Sequence, residues 1–301
     1  MTTLDRSQGC VLGLALGDAF GAPYEGGVLE RFVWGMIGKT SDRKRRFTDD
    51  TQMMLDMMGV IVEHGELDLD AIATQFAQSY RWSRGYGPAA AKLLKKIKRG
   101  AHWNEVNRAV YKEGSLGNGG AMRAAPLALL FDDQSVLFDA AKQQARITHA
   151  HPLGQDGAGL IACATHMALK DMEPIAIVDE LQVLDVQQEY HEALHHVREW
   201  LTASTLRTAQ QIRISPGVGM TALESCMSAL YMALSHFERD FESMMSLSWS
   251  CGGDADTISA MAGAIWGARH GHKKLPSSWL KELEGRAVLE ALSGDLLNVT
   301  V

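Results

Sequence analysis

The sequence has little cysteine, no long apolar run and no excess of positive charge. Its 301 residues contain four cysteines, and no two of them form a CxxC motif. A disulfide framework is therefore not expected, and reduced thiols in a cytoplasmic protein are predicted.

The apolar stretch 258–268 is much shorter than the ~20 residues that span a bilayer. The apolar run 10–16 contains Gly13 and is closed by Asp18 without a signal-peptidase site, so neither a signal peptide nor membrane association is expected.

The formal net charge of −7 argues against a broad surface for nucleic acid or anionic lipid. Two basic segments depart from this balance, namely Arg-Lys-Arg-Arg at 43–46 and the lysine-rich stretch 92–99. Their ordinary interpretation is a solvated loop and a solvated helix face. The alternative is that they dock an acidic macromolecular substrate.

Alternating strand patterns are nearly absent, whereas apolar residues recur with the helical period along most of the chain. The predicted helices span 5–22, 49–64, 69–82, 88–99, 103–113, 121–131, 134–147, 156–169, 187–202, 219–236, 240–250 and 256–270. The hydrophobic content of 46% allows a substantial buried core. No repeat period and no low-complexity linker divides the chain, so a single compact all-α domain over residues 1–301 is predicted.

Two acid-rich segments stand far apart in the sequence, each where a helix is predicted to begin. They are Thr48-Asp49-Asp50-Thr51 and Asp254-Ala255-Asp256-Thr257. Either one alone is typical of a helix N-terminus, because acids in the first turn interact favourably with the helix dipole. Together they indicate cations, since carboxylate and hydroxyl oxygens suit Mg²⁺. Two divalent ions are predicted rather than one, because four unpaired carboxylates in one pocket would otherwise repel each other.

A glycine-rich segment lies in the middle of the chain. It reads Gly117-Asn118-Gly119-Gly120-Ala121-Met122-Arg123. Glycines before a helix suit phosphate or pyrophosphate binding, although a tight turn would have the same composition. The segment matches neither GxGxxG after a strand nor a P-loop. His149 is either a donor to phosphate or ribose or an ordinary helix-end residue.

Two acids near the N-terminus belong to the same argument. Asp18 follows an apolar, glycine-containing run, so we expect it to be buried only if it is paired, which suggests a supporting role near the cations. Glu25 lies on a glycine-flanked loop and is expected to be free to swing, although an ordinary exposed loop glutamate would have the same sequence context.

Taken together, these motifs resemble those of the ADP-ribosylglycohydrolases, the family that includes dinitrogenase reductase-activating glycohydrolase. The matching segments follow the family's order along most of the chain, at 14–26, 47–51, 114–123, 148–149 and 252–263. The resemblance implies an all-α fold of orthogonal helices with two Mg²⁺ or Mn²⁺ ions. It also implies hydrolysis of the bond at C1″ of ADP-ribose, with ADP-ribose or ADP-ribosylated protein as the partner.

The resemblance further implies a role for each matched residue. The metal ligands would be Thr48, Asp49, Asp50, Asp254, Asp256 and Thr257. The catalytic groups would be Glu25, Asp50 and Asp256, with Glu25 at the position of a mobile glutamate in the serine-linked branch. ADP-ribose would be bound by Ser115, Gly117, Asn118, Gly119, Gly120, Met122 and His149.

Segments 84–87, 114–120 and 148–149 resemble the branch that acts on serine-linked ADP-ribose, poly(ADP-ribose) and O-acetyl-ADP-ribose more than the arginine-directed branch. Leu116 departs from that branch, which commonly has an aromatic residue there to pack on adenosine. Two other functions stay open. One is a crystallin-like member of the family that binds ADP-ribose without turnover. The other is an unrelated Mg²⁺-dependent phosphohydrolase, which would release AMP or phosphate instead of ADP-ribose.

Overall fold

The computed structural model describes residues 1–299, apart from the side chains of Leu29 and Glu30, and over that range it contains helices and loops but no β-strand. The all-α prediction is therefore confirmed. The α-helices are α1 (Thr3–Gly21), α2 (Val28–Ile37), α3 (Asp49–His64), α4 (Leu69–Ser79), α5 (Pro88–Ile97), α6 (Trp103–Val106), α7 (Gln134–Arg146), α8 (Pro152–Leu169), α9 (Pro174–Leu181), α10 (Gln188–Thr202), α11 (Ala209–Ile214), α12 (Ala222–Ser235), α13 (Phe241–Cys251), α14 (Ala255–His270), α15 (Ser277–Glu282) and α16 (Arg286–Asp295). Short 3-10 helices lie at Ala22–Tyr24, Trp82–Arg84, Asn118–Gly120, Ala125–Leu129, His272–Lys274 and Leu296–Asn298.

Helices α1 and α14 pack antiparallel with their backbones in direct contact. The contact is made by glycines spaced four residues apart on one face of α1, Gly9, Gly13, Gly17 and Gly21. A Cβ atom at Gly9 would lie 2.2 Å from the carbonyl oxygen of Gly267, and one at Gly21 would lie 2.7 Å from Cα of Asp256. Only glycine permits this approach. The contact brings the start of α14 beside the end of α1.

The buried core is continuous around this pair. Apolar residues of α1, α3, α7, α8, α12 and α14 form one cluster of fully buried side chains, supplied at the sequence level by the helical period. All four cysteines are buried and free. No helix among the described residues is both long and apolar enough to cross a bilayer.

The helix starts at the acid-rich segments are locally encoded, as predicted. Thr48 is the N-cap of α3, and its Oγ1 accepts a hydrogen bond from the backbone N–H of Asp50 at 3.3 Å. Before α14, Gly252 and Gly253 have φ angles of 64° and 69°, which L side chains rarely adopt. The acidic segments therefore occupy the first turns of α3 and α14.

Two predicted helices are wrong over most of their length. In 103–113 only Trp103–Val106 is α-helical, and Asn107 instead donates its side-chain amide to the carbonyl of Arg146 at 3.0 Å. In 121–131 the backbone forms a 3-10 helix at Ala125–Leu129, and the Arg123 side chain donates to the carbonyl of Gly119 at 2.6 Å. In both places a tertiary contact competes with the helical hydrogen-bond pattern. Helices α2, α9, α11, α15 and α16 were not predicted.

Candidate active site

The first turns of α3 and α14 meet, and the loop after α1 joins them. Carboxylate oxygens of Glu25, Asp254 and Asp256 lie within 4.8 Å of one another. The two acid-rich segments are linked directly, because Thr257 Oγ1 donates to Asp50 Oδ1 at 3.4 Å. Residues that are widely separated in sequence thus form one acidic cluster.

Asp18, which lies on α1, holds the acid-rich segment at 48–51 in place. Its carboxylate accepts from the backbone N–H of Thr48 at 2.9 and 3.0 Å, from the N–H of Thr51 at 3.0 Å and from Thr51 Oγ1 at 2.6 Å. The residue is completely buried. The prediction that Asp18 would be buried and paired is confirmed, and its contacts fix the backbone of the α3 start.

The loop that carries Glu25 is held on both sides in this structure. Gly26 donates its N–H to the carbonyl of Gly253 at 3.2 Å. On the other side, the Tyr24 ring stacks on Trp249, with centroids 4.8 Å apart and planes inclined by 3°. Glu25 itself is half-buried. Glu25 is therefore not an ordinary exposed loop residue, and aromatic stacking and a backbone hydrogen bond hold its neighbours in this conformation. Its freedom to swing stays a prediction.

Burial and mutual repulsion dominate the electrostatics of the cluster. Burial, followed by the charges of Asp256 and Asp254, raises the pKa of Glu25 to about 10. Burial and then Asp254 raise the pKa of Asp256 to about 7, and burial and then Asp256 raise that of Asp49 to about 8. The pKa of Asp50 is well above its ordinary value, chiefly through burial. This environment favours the protonated forms of the carboxyl groups, and a bound cation would favour the ionised forms instead.

The cluster fits divalent cations chemically. Asp50 Oδ2 is buried and has no hydrogen-bond partner among the described atoms, so one lone-pair-bearing oxygen is left for a ligand. The surrounding donors are carboxylate and hydroxyl oxygens, which hard cations such as Mg²⁺ and Mn²⁺ prefer. A bound cation would also keep these carboxylates ionised.

The glycine segment contacts the acidic cluster through Asn118. The side-chain amide of Asn118 donates to Asp254 and, at 3.0 Å, to Ser225 Oγ. At two of the glycines, other residues occupy the space where a side chain would lie. A Cβ at Gly119 would lie 2.4 Å from Cε1 of His149, and one at Gly120 would lie 2.5 Å from Cβ of Ala145. Packing therefore requires glycine at these two positions. The phosphate-binding interpretation of the sequence did not include this requirement.

Arg123 organises the segment from within, and its role was not predicted. Its buried guanidinium donates to the carbonyl of Gly119 at 2.6 Å, to Gln144 Oε1 at 2.7 Å and to Thr148 Oγ1 at 3.1 Å. It forms no ion pair within residues 1–299. The sequence signal was an arginine directly after an apolar, glycine-rich segment, where a buried charge needs several hydrogen bonds.

Most of the residues expected from sequence are thus placed together. The acidic cluster contains Glu25, Thr48, Asp49, Asp50, Asp254, Asp256 and Thr257. Ser115 precedes the adjoining glycine segment, and the His149 ring lies against Gly117 and Gly119 of that segment. Met122, which was predicted to bind ADP-ribose, is buried in the core. Leu116 is exposed. Their individual roles toward metal and substrate stay predictions.

The two basic segments differ from each other. Lys92, Lys95, Lys96, Lys98 and Arg99 are exposed, as predicted for a solvated helix face. The segment 43–46 is partly tied down: Arg45 pairs with Glu282 at 3.0 Å, and Arg46 donates to the carbonyl of Ile37 at 3.1 Å. The interpretation of 43–46 as a fully solvated loop is therefore wrong for these two arginines.

The chain combines an all-helical fold with an acidic cluster at two helix starts whose oxygens suit divalent cations. The chain belongs to the ADP-ribosylglycohydrolase family, whose sequence model matches residues 1–301. This confirms the resemblance stated from the motifs. It is inconsistent with the interpretation as an unrelated phosphohydrolase.

Relatives and a solved structure agree over nearly the whole chain. ADP-ribosylhydrolase ARH3 of Bos taurus is 32% identical, with 99% of this chain and 93% of the relative covered. The Homo sapiens ADP-ribosylhydrolase ARH3 is 31% identical, with 99% and 94% covered. The ADP-ribosyl-(dinitrogen reductase) glycohydrolase of Rhodospirillum rubrum is 28% identical, with 93% and 90% covered. The structure of an ADP-ribosylglycohydrolase-related protein complex superposes with a TM-score of 0.75 at 25% identity, covering 99% of both chains.

Proposed function

We propose that the protein cleaves the glycosidic bond at C1″ of ADP-ribose with two Mg²⁺ or Mn²⁺ ions, and that serine-linked ADP-ribose on protein side chains is its preferred substrate. One observation carries the proposal: the carboxylate oxygens of Glu25, Asp254 and Asp256 lie within 4.8 Å of one another in a chain of this family. Arginine-linked ADP-ribose, O-acetyl-ADP-ribose and poly(ADP-ribose) are further candidate substrates.

The cation ligands are the oxygens at the two helix starts, from Thr48, Asp49, Asp50, Asp254, Asp256 and Thr257. The unpartnered Asp50 Oδ2 and the raised pKa values of the carboxyl groups support this set. When bound, the ions supply Lewis acidity and a template that orients the ribose hydroxyls. Asp18 maintains the geometry through its hydrogen bonds to Thr48 and Thr51.

The substrate's diphosphate and distal ribose are assigned to the glycine segment, with Ser115 and His149 beside it. The link from Asn118 to Asp254 supports this placement, because it makes the segment and the acidic cluster one structural unit. A diphosphate held at the segment then presents the ribose C1″ toward the carboxylates. Leu116 leaves the adenosine side with an exposed aliphatic contact in place of an aromatic one.

Glu25 is assigned as the general base. Its carboxylate accepts a proton from water as the water oxygen bonds to C1″ and the bond from C1″ to the serine oxygen breaks. The proton then passes to the serine oxygen, so that ADP-ribose and unmodified serine are released. The surrounding negative charge favours the oxocarbenium-like character that develops at C1″.

The experiment is release of free ADP-ribose from serine-linked and arginine-linked ADP-ribosylated peptides, with Mg²⁺, Mn²⁺ or EDTA present. Metal-dependent release from the serine-linked peptide, lost in Glu25→Gln, is the expected result. Release from the arginine-linked peptide alone would contradict the linkage preference. No release from either peptide, with tight binding of ADP-ribose, would favour the non-catalytic, crystallin-like function.

A further inference from the structure

A buried chain of hydrogen bonds runs from Arg123 through Thr148 to His149. Arg123 Nη2 lies 3.1 Å from Thr148 Oγ1, which in turn lies 2.8 Å from His149 Nδ1. Arg123 is completely buried and Thr148 is 4% exposed. A guanidinium has donors only, so Thr148 Oγ1 accepts the first of these hydrogen bonds.

The direction of the second hydrogen bond follows from the single proton of the Thr148 hydroxyl. Over residues 1–299, Arg123 and His149 are the two side-chain partners of Thr148 Oγ1. If His149 Nδ1 donated to Thr148, the hydroxyl proton would be buried without an acceptor, which is rare in folded proteins. If Thr148 donates, every group is satisfied, and Nδ1 is then the acceptor.

The surroundings of His149 favour a neutral imidazole. Burial, and then the positive charge of Arg123, lower the pKa of His149 to about 3. A neutral imidazole that accepts at Nδ1 carries its proton on Nε2. The hydrogen-bond chain therefore selects one tautomer of the ring.

The Nε2 edge of the ring faces the glycine segment. A Cβ at Gly117 would lie 3.3 Å from Nε2, and one at Gly119 would lie 2.9 Å from it. Nε2 has no protein partner in the described part of the chain and is not sealed from solvent. The N–H at this position is thus available to a ligand that lies on the segment.

The same guanidinium positions the segment and the ring together. Arg123 donates to the carbonyls of Gly119 at 2.6 Å and Gln144 at 3.0 Å while it contacts Thr148. The planar fork of arginine allows these bonds to be made at once, which a lysine ammonium cannot reproduce.

We propose that Arg123 and Thr148 are positioning residues that hold His149 as the Nε2–H tautomer, so that it donates a hydrogen bond to the diphosphate or distal ribose of ADP-ribose. The ligand in this inference rests on the proposed function. The tautomer is a property of the free protein and is independent of turnover.

The test is a long-range proton–nitrogen NMR correlation on protein labelled with ¹⁵N-histidine, combined with ADP-ribose affinity. His149→Gln assigns the His149 signals among those of the 11 histidines. The wild type is expected to show a neutral ring protonated at Nε2, and Thr148→Ser, which keeps the hydroxyl, is expected to match it. Thr148→Val is expected to show a population protonated at Nδ1 and ADP-ribose binding weakened roughly fivefold, the scale of one hydrogen bond.

A wild-type ring that is charged or protonated at Nδ1 would overturn the inference, and this measurement requires no variant to fold. A Thr148→Val protein with unchanged tautomer and unchanged affinity would overturn it as well. A changed tautomer with unchanged affinity would refute the contact to ADP-ribose. Failure of the wild type to bind ADP-ribose would count against the proposed function instead and leave the tautomer result intact.

Discussion

Substituting Gly17 by alanine tests whether the contact between α1 and α14 sets the position of the site. A Cβ atom at Gly17 would lie 2.1 Å from the carbonyl oxygen of Ser259 and 2.3 Å from its carbonyl carbon. Carbon–oxygen contacts in proteins are about 3.3 Å at their closest. The two helices must therefore separate by about 1.2 Å at this level.

The expected loss of stability combines two opposing effects. Overpacking costs about 1–3 kcal/mol or more, and the higher helix propensity of alanine returns up to about 1 kcal/mol. We expect a net loss of about 2 kcal/mol in the free energy of unfolding. The displacement also moves Asp256, which lies against Gly21 on the same seam. A misplacement of about 1 Å can lower activity by about 100-fold.

The assay is chemical denaturation together with ADP-ribose release at saturating Mg²⁺. Gly59→Ala is the matched control, because Gly59 lies within α3 and a Cβ there has no atom within 4 Å. That control is expected to gain up to about 1 kcal/mol in stability with unchanged activity. If Gly17→Ala unfolds like the wild type and retains full activity, the glycine contact does not set the site. If stability falls while activity at saturating Mg²⁺ is normal, the seam affects stability alone.

Three further predictions concern the acidic cluster. Asp256→Asn should lower Mg²⁺ affinity and abolish ADP-ribose release with an unchanged circular dichroism spectrum, and full activity after Mg²⁺ titration would show that Asp256 is not a ligand. Tyr24→Ala should lower kcat and alter tryptophan fluorescence, because it removes the stack on Trp249 that holds the Glu25 loop. The control Tyr24→Phe should keep the wild-type kcat and fluorescence. An unchanged kcat in Tyr24→Ala would contradict this role. Burial raises the pKa of Asp254 to about 6 and that of Asp256 to about 7, above the ordinary value of 3.8, so the folded, metal-free protein binds more protons than the unfolded chain. Its thermal stability should therefore fall as pH rises from about 5 to about 7, and Mg²⁺ should remove that dependence; a flat profile in EDTA would refute it.

Local sequence was sufficient for the class of fold and for the helix starts at the site. The helical period of apolar residues predicted an all-α chain, and the order of motifs predicted the family, both of which are confirmed. The sequence predicted the Thr48 cap and the role of the glycines before Asp254, because capping and backbone conformation depend on residues within one turn.

Tertiary contacts decided what local patterns could not. The glycine spacing on α1 was present in the sequence, but its partner on α14 was not evident from α1 alone. The segments 103–113 and 121–131 have helical patterns, yet Asn107 and Arg123 make contacts outside those patterns. Five shorter or peripheral helices were also missed.

The sequence by itself predicted which residues bind cations and ADP-ribose, since that prediction depends on the chemistry of the side chains. Only the tertiary structure decided that the starts of α3 and α14 meet at the Glu25 loop, which groups of Thr48 and Thr51 Asp18 binds, and that Arg123 holds the glycine segment. The physical reason is that capping and periodicity act between neighbours along the chain. Convergence of distant helix ends depends instead on close packing between α1 and α14, which is a property of the folded backbone.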